Sequence, residues 1–311
     1  MKAIAVTEYG AEPGLMELPK PKPGRGQILI KVRAAGMNPM DRQISDGGWK
    51  DRMPATFPLV LGSDLAGVVD AVGESTSRFA PGDAVFGRFL IAPLGSAGTF
   101  AEYVVVNENA DLALLPKQLD PVVAASLPTA GVTGSEIVQT LGQLGGKTVL
   151  IVGAGGGVGS FATQFAAVAG AHVIANTRAD DSVRMRQYGA AEVLDQTVSV
   201  PVAVQRAHPD GIDSLIDLAS DRDGFGALAS LVRRGGTAVT TRYAADVDAL
   251  AKAGINGLNF RLSMSPVMLE GLAEAVVSGR IVPPPIKQIR LGDVPATFTN
   301  GRFEGKTVIT F

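Results

Sequence analysis

The chain has no cysteine, so disulfides, thiol nucleophiles and thiolate metal sites are excluded together. It has only two histidines, His172 and His208, whereas a transition-metal site needs a cluster of ligands. His172 falls in an expected strand and His208 precedes Pro209 in an expected loop, so both are read as structural and no metal is expected. An excess of either charge is lacking too. The formal net charge is −2 and the charges are spread along the chain, which leaves no footprint for nucleic acid or an anionic membrane. No apolar run reaches the roughly 18 residues of a membrane span. MKAIAVTEYG lacks the shape of a signal peptide, so a cytoplasmic location is the expectation. Ser135, in Gly134-Ser-Glu, has neither the elbow context nor a matching histidine, which sets hydrolase chemistry aside.

Glycine is plentiful instead, with 38 residues in a chain of 311, long enough for two domains and a large core. The stretch from 147 to 178 organises the rest. Thr148 to Val152 is a short apolar, β-branched run that reads as a parallel strand buried on both faces. From Gly157, apolar residues at Val158, Phe161, Ala162, Phe165 and Ala166 recur at helical spacing, and Ala171 to Ala175 reads as a second strand. Strand, turn, helix and strand make one βαβ unit. The turn carries Gly153, Gly156, Gly157, Val158 and Gly159 in a GxxGxxG spacing rather than the strict GxGxxG. Glycines there let a pyrophosphate approach the backbone at a helix N-terminus, so nucleotide binding is expected, against the plainer reading of a Gly-rich connector.

Upstream, residues 1 to about 115 read as short strands cut by Gly and Pro, with Ile28, Ile30, Val32 and Ala34 alternating and one short helix near Met40 to Ser45. That is the signature of a β barrel or sandwich. After Leu119, a helix, a Pro-Thr-Ala-Gly break and a second helix from about Val132 to Leu144 lead into the βαβ unit. Alternation continues to Thr241, implying a doubly wound parallel sheet in an α/β domain. Beyond Phe260 come a helix from Pro266 to Gly279 and the strand-like IKQIRLGDV and KTVITF. The terminal strand fits best as a return to the N-terminal β domain. The expected division is 1–120 with 263–311 as the β-rich domain, and 121–262 as the nucleotide domain.

AAGMNPMD, LVLGSDLAGVV, FAPGDAVFG, GTFAEYVVV, AASLPTAGVTG, GAGGGVG, YGAAEVLD and GKTVITF together resemble the medium-chain dehydrogenase/reductase superfamily, in its zinc-free, quinone oxidoreductase-like branch, over nearly the whole chain. The resemblance implies a Rossmann domain inserted into a GroES-like catalytic domain, NADP(H) as cofactor and a homodimer. The superfamily's zinc alcohol dehydrogenases carry a cysteine where this chain has Asn38, and a Gly-His-Glu segment where it has Gly62-Ser63-Asp64. Loss of both strong ligands turns the expectation from Lewis-acid chemistry toward hydride transfer to a quinone or an α,β-unsaturated carbonyl, whose conjugation carries the arriving charge onto oxygen.

Asn38 matches the family asparagine that holds nicotinamide or acceptor; a turn asparagine before Pro39 is the competing reading. Asp41 either orients its neighbours or caps the following helix. Thr129 and Thr133 match the region that meets nicotinamide and ribose. Thr240, Thr241 and Tyr243 follow a strand at its carboxyl end, where α/β sheets bind ligands, and Tyr243 offers a phenolic proton. Trp49, Phe57 and Phe89 either wall the acceptor pocket or belong to the core. At the end of the second nucleotide-domain strand, Asn176-Thr177-Arg178 replaces the Asp or Glu of an NAD enzyme, so Arg178 and Thr177 are expected to meet a 2′-phosphate. A solvated loop arginine beside Asp180 and Asp181 is the alternative. The same residues would serve an enoyl or alkenal reductase, or a non-catalytic NADP(H)-binding regulatory protein. A methyltransferase is disfavoured by the β domain and by the missing acid at that strand end.

Overall fold

The computed structural model describes residues 1–299 and 305–311. The chain forms two compact units, one of residues 1–130 and 264–311 and the other of residues 131–263.

In chain order, the first unit begins with β1 (Lys2–Val6), β2 (Gly14–Glu17), β3 (Gln27–Gly36), α1 (Pro39–Ser45), β4 (Leu59–Val60), β5 (Asp64–Val72), β6 (Ala84–Arg88), β7 (Tyr103–Asn107), β8 (Asp111–Leu114) and α2 (Pro121–Ser126). Helix α3 (Pro128–Thr140) contains the border. Pro128, Thr129, Ala130 and Gly131 read as a break in the sequence, yet they open this helix. Proline is tolerated in a first turn because no N–H is needed there.

The second unit follows with β9 (Thr148–Val152), α4 (Gly157–Val168), β10 (His172–Thr177), α5 (Ser182–Gln187), β11 (Glu192–Asp195), α6 (Val200–Ala207), β12 (Ile212–Asp217), α7 (Arg222–Ala229), β13 (Val232–Thr240), α8 (Val247–Lys252) and β14 (Asn256–Asn259). The chain then re-enters the first unit with α9 (Pro266–Val277), β15 (Ile286–Arg290), α10 (Val294–Thr299) and β16 (Lys306–Thr310). The strand-like reading of IKQIRLGDV therefore stops at Arg290. Leu291–Asp293 is a 3-10 turn that leads into α10.

In the first unit, β3 is the hub. It pairs antiparallel with β5, β7 and β16, within a sheet ordered β15-β16-β3-β5-β6-β8. Its alternating Ile28, Ile30 and Val32 are buried in a core with Leu65, Phe100 and Ile309. Gly36 is required where β3 meets α2, because a Cβ there would run into the Ala125 carbonyl oxygen. The return of β16 puts Val308 opposite Gly36 and Thr310 opposite Ala34.

In the second unit, six parallel strands run β11-β10-β9-β12-β13-β14. This is the doubly wound order, with its switch point between β9 and β12. Val149, Ile151, Val173, Ala175 and Ile216 pack on one face and Leu150, Ile174 and Leu215 on the other, as expected of strands buried on both sides.

Candidate active site

The first unit buries a cluster of polar and charged side chains where β3, α1, β5, α3 and β16 meet. Asn38 is the N-cap of α1, with extended backbone dihedrals. Asp41, three residues on, accepts a hydrogen bond from the Asn38 backbone N–H at 2.7 Å, the returning half of a capping box. The capping reading of Asp41 is thus realised. The Asn38 side chain turns away from the helix. Its Nδ2 donates to Asp64 Oδ2 at 2.9 Å, and its Oδ1 accepts from Lys306 Nζ at 2.8 Å.

Lys306 also donates to the Met37 carbonyl at 2.9 Å and is 3% exposed. Asp64, fully buried at the start of β5, accepts from Thr129 Oγ1 at 2.6 Å and from the Thr129 backbone N–H at 3.1 Å. Its carboxylate therefore covers the N-terminus of α3, where the helix dipole favours negative charge. Sequence reasoning missed Lys306. The signal was a lysine at the head of a β-branched terminal strand, Lys306-Thr-Val-Ile-Thr310.

Burial dominates the electrostatics. Desolvation pushes the Asp41 carboxyl up to about 7; the Asn38 N–H, Lys306 and Arg88 oppose the rise and Asp64 adds to it. Burial pulls Lys306 below the usual lysine range, while Asp64 and Asp41 hold it up. Asp41 Oδ1 and Ser63 Oγ are buried without a hydrogen-bond partner. Asp41 also lines a small, otherwise apolar cavity with Leu59, Leu61, Phe89, Leu90 and Leu94. Phe89 is core at 6% exposure, whereas Phe57 is 40% exposed and stacks edge-on against Tyr9. Trp49 packs on the rim of the core. A divalent metal does not fit the Asn38, Ser63 and Asp64 positions. They offer one carboxylate, a hydroxyl and an amide whose oxygen is taken by a lysine amine, with no imidazole or thiolate.

In the second unit, the glycine turn sits at the carboxyl end of β9. Gly153 has φ of 81°, and Gly156 is the N-cap of α4, with no side chain to cover the first-turn amides. A Cβ at Gly159 would meet the Gly153 carbonyl oxygen and, at 2.6 Å, Ala154 Cα. A Cβ at Gly155 would meet Thr177 Oγ1 and Asp181 Oδ2. Gly155 was not singled out in the sequence, because its constraint comes from a strand twenty-odd residues on. Arg184 braces the turn, donating to the Gly155 carbonyl at 3.0 Å and to Ser160 Oγ at 2.8 Å, and pairs with Asp181. The turn and the α4 N-terminus thus form a backbone cradle suited to a dinucleotide pyrophosphate.

The neighbouring candidates divide. Asn176 and Thr177 are buried and use their side chains internally, Asn176 donating to the Leu194 carbonyl at 3.2 Å and Thr177 to Asp181 at 3.3 Å. The Thr177 hydroxyl is therefore already engaged, while Arg178 is exposed just beyond β10. Thr133 is buried one turn along α3 from Thr129. Thr240 is fully buried and its hydroxyl accepts the Arg242 N–H, and Thr241 donates its N–H to the Asp217 carbonyl. Tyr243 is 42% exposed with φ of 56°, a left-handed conformation costly for a tyrosine, and Arg261 lies 5.8 Å from its ring centre.

Residues 24–117 match the family described as alcohol dehydrogenase GroES-like domain, and residues 157–253 match the family described as zinc-binding dehydrogenase. The chain is 32% identical over 326 residues to the mitochondrial NAD(P)H oxidoreductase RTN4IP1 of Mus musculus, covering 91% of this chain and 81% of that protein. It is 32% identical over 231 residues to the chloroplastic quinone-oxidoreductase QR1 of Triphysaria versicolor (71% and 68%). It is 31% identical over 323 residues to the 2-methylene-furan-3-one reductase of Solanum lycopersicum (99% and 79%). Among solved structures, the quinone oxidoreductase from Coxiella burnetii shares the fold with a TM-score of 0.88 at 24% identity, over 100% of this chain and 99% of that one. No helix among the described residues is long and apolar enough to cross a membrane. A Rossmann sheet alone is common to many enzymes, but here the likeness runs through the β-rich unit as well, and on that ground the chain belongs to the medium-chain dehydrogenase/reductase superfamily of oxidoreductases, among its quinone oxidoreductase-like members.

Proposed function

We infer that this protein is an NADPH-dependent reductase that delivers a hydride to a quinone or an activated alkene without a metal. The observation that supports this reading is the hydrogen bond from Lys306 Nζ to Asn38 Oδ1, because it occupies the side-chain oxygen of the residue that stands where the superfamily's zinc enzymes carry a cysteine. The names of the relatives support it, since one is a quinone oxidoreductase and another reduces an enone.

Bound NADPH would supply the hydride. The backbone amides from Gly153 to Gly159 and the α4 N-terminus would hold its pyrophosphate, and Arg178 its 2′-phosphate. Asp181 stands near the same strand end, but its pairing with Arg184 offsets its charge. For an enone, hydride adds to the β-carbon, the C=C electron pair shifts onto the carbonyl oxygen, and a proton completes the reduction. The overall balance is NADPH, one proton and the acceptor giving NADP⁺ and the acceptor with two added hydrogens. Asp41, whose carboxyl pKa is raised by burial to about 7, would be a candidate to exchange a proton near neutrality. Asn38 and Asp64 would keep Lys306 and the α3 N-terminus in register through their mutual hydrogen bonds.

The test is oxidation of NADPH and of NADH by quinones, enones and aldehydes, with chelator-treated protein. The reading expects NADPH consumption with quinones or enones and little with simple aldehydes. Tight NADPH binding with no turnover on any acceptor would favour a binding protein, and activity only after zinc addition would overturn the metal-free mechanism.

A further inference from the structure

The chain's two histidines are distant in sequence, and neither was expected to meet another ligand. The fold brings both to one carboxylate. His172 opens β10, Glu192 opens β11 in the parallel pairing that sets Glu192 opposite Ile174, and His208 closes α6 ahead of β12. Glu192 Oε1 lies 2.6 Å from His172 Nε2 and 2.9 Å from His208 Nε2, and the three donor atoms fall within 4.8 Å of one another. The imidazole rings stand 5.8 Å apart at 61°. All three side chains reach solvent, at 43%, 33% and 20% exposure for His172, Glu192 and His208, so an ion has a way in.

We propose that His172, Glu192 and His208 form a site for a divalent transition-metal ion of the zinc class, stapling the amino-terminal edge of the second unit's sheet. Two imidazole nitrogens and one carboxylate oxygen suit Zn²⁺, Co²⁺ or Ni²⁺ and are poorly matched to Mg²⁺ or Ca²⁺, which take oxygen ligands. Tetrahedral donors at zinc bond lengths of about 2.0–2.1 Å are about 3.3 Å apart, and the two Glu192–imidazole separations of 2.6 and 2.9 Å are only slightly shorter than that. A small rotation of the Glu192 carboxylate therefore brings three ligands onto one ion, and water completes the shell. The ion would tie β10, β11 and the α6–β12 connection together. His172 and Thr177 lie at opposite ends of β10, about 17 Å apart along the strand, so the site is remote from the glycine turn. Its role is structural, and it stands or falls independently of the proposed reduction.

Without a metal, the same contacts are a hydrogen-bonded trio in which both imidazoles donate to Glu192. Titration of untagged, chelator-treated protein with Zn²⁺ by calorimetry, and with Co²⁺ by visible absorption, separates the two. The proposal expects saturation at one equivalent and a raised thermal midpoint with Zn²⁺. It also expects affinity weakened about tenfold or more in His172→Ala, in His208→Ala and in Glu192→Gln. NADPH binding should not change in any of them. Absence of saturable Zn²⁺ binding by the wild-type chain, or binding of undiminished affinity in His172→Ala/His208→Ala, would overturn it.

Discussion

Lys306 Nζ donates to Asn38 Oδ1 across a sequence separation of 268 residues, and neither side chain is more than 3% exposed. The contact exists because β16 returns to pair with β3, which places Lys306 against the turn between β3 and α1. One hydrogen bond thus joins the last strand of the chain to the residue that begins the first helix.

Lys306→Met removes one partner of this buried cluster. It removes the donor to Asn38 Oδ1 and the Met37 carbonyl, and the buried cation whose charge Asp64 and Asp41 hold up. Such a loss costs about 3–5 kcal/mol. Chemical denaturation of the variant should show a loss of that order, and a change within error would mean the lysine is dispensable to the unit.

Asp41 sets a pH dependence whose sign follows from its raised pKa. An unfolded aspartate titrates near about 3.9, so between about pH 4 and pH 7 the folded state keeps a proton that the unfolded chain has released. This group's contribution to stability is therefore greatest below that window, falls as pH rises through it and is flat above. Asp41→Asn keeps an acceptor for the Asn38 N–H and removes the ionisation. Its denaturation midpoint, followed from about pH 5 to about pH 8, should gain on the wild type as pH rises. Parallel profiles would contradict the assignment.

Gly159→Ala tests the cradle. The new methyl would press on the Gly153 carbonyl and Ala154, which are backbone and cannot rotate away. Both the stability of the second unit and dinucleotide affinity should fall. Gly226→Ala, on α7 with open space around it, is the control and should be silent or mildly stabilising.

Arg178→Ala tests cofactor choice. A charge-assisted hydrogen bond contributes about 1.5–3 kcal/mol, so NADPH affinity should fall roughly tenfold to a hundredfold while NADH affinity stays unchanged. Equal weakening of both would move the 2′-phosphate contact to another residue.

The βαβ unit around the glycine turn was legible because its evidence is local. Apolar spacing in β9, α4 and β10 and the glycines between them are all readable within some thirty residues. Strand β14 was not, since Asn256-Gly-Leu-Asn carries turn chemistry and becomes a strand only by hydrogen bonding to β13. The same limit hid Lys306 and Arg184, whose partners are set by strand return and by packing. The reading of Thr177 as a phosphate ligand met a competing local partner, Asp181, that sequence order alone could not rank. His172, Glu192 and His208 were unreadable as a group because their meeting depends on the register of β10 with β11 and on where α6 ends.

Hydride transfer without a metal is tested most directly by following the hydrogen itself. Chelator-treated protein is given NADPH deuterated at the transferring position of the nicotinamide and an enone acceptor, and the product is read by NMR. The account expects deuterium on the product's β-carbon, one solvent-derived hydrogen on its α-carbon, and no gain on adding Zn²⁺. A β-carbon without label while NADPH is consumed, or transfer that begins only once zinc is restored, would contradict it.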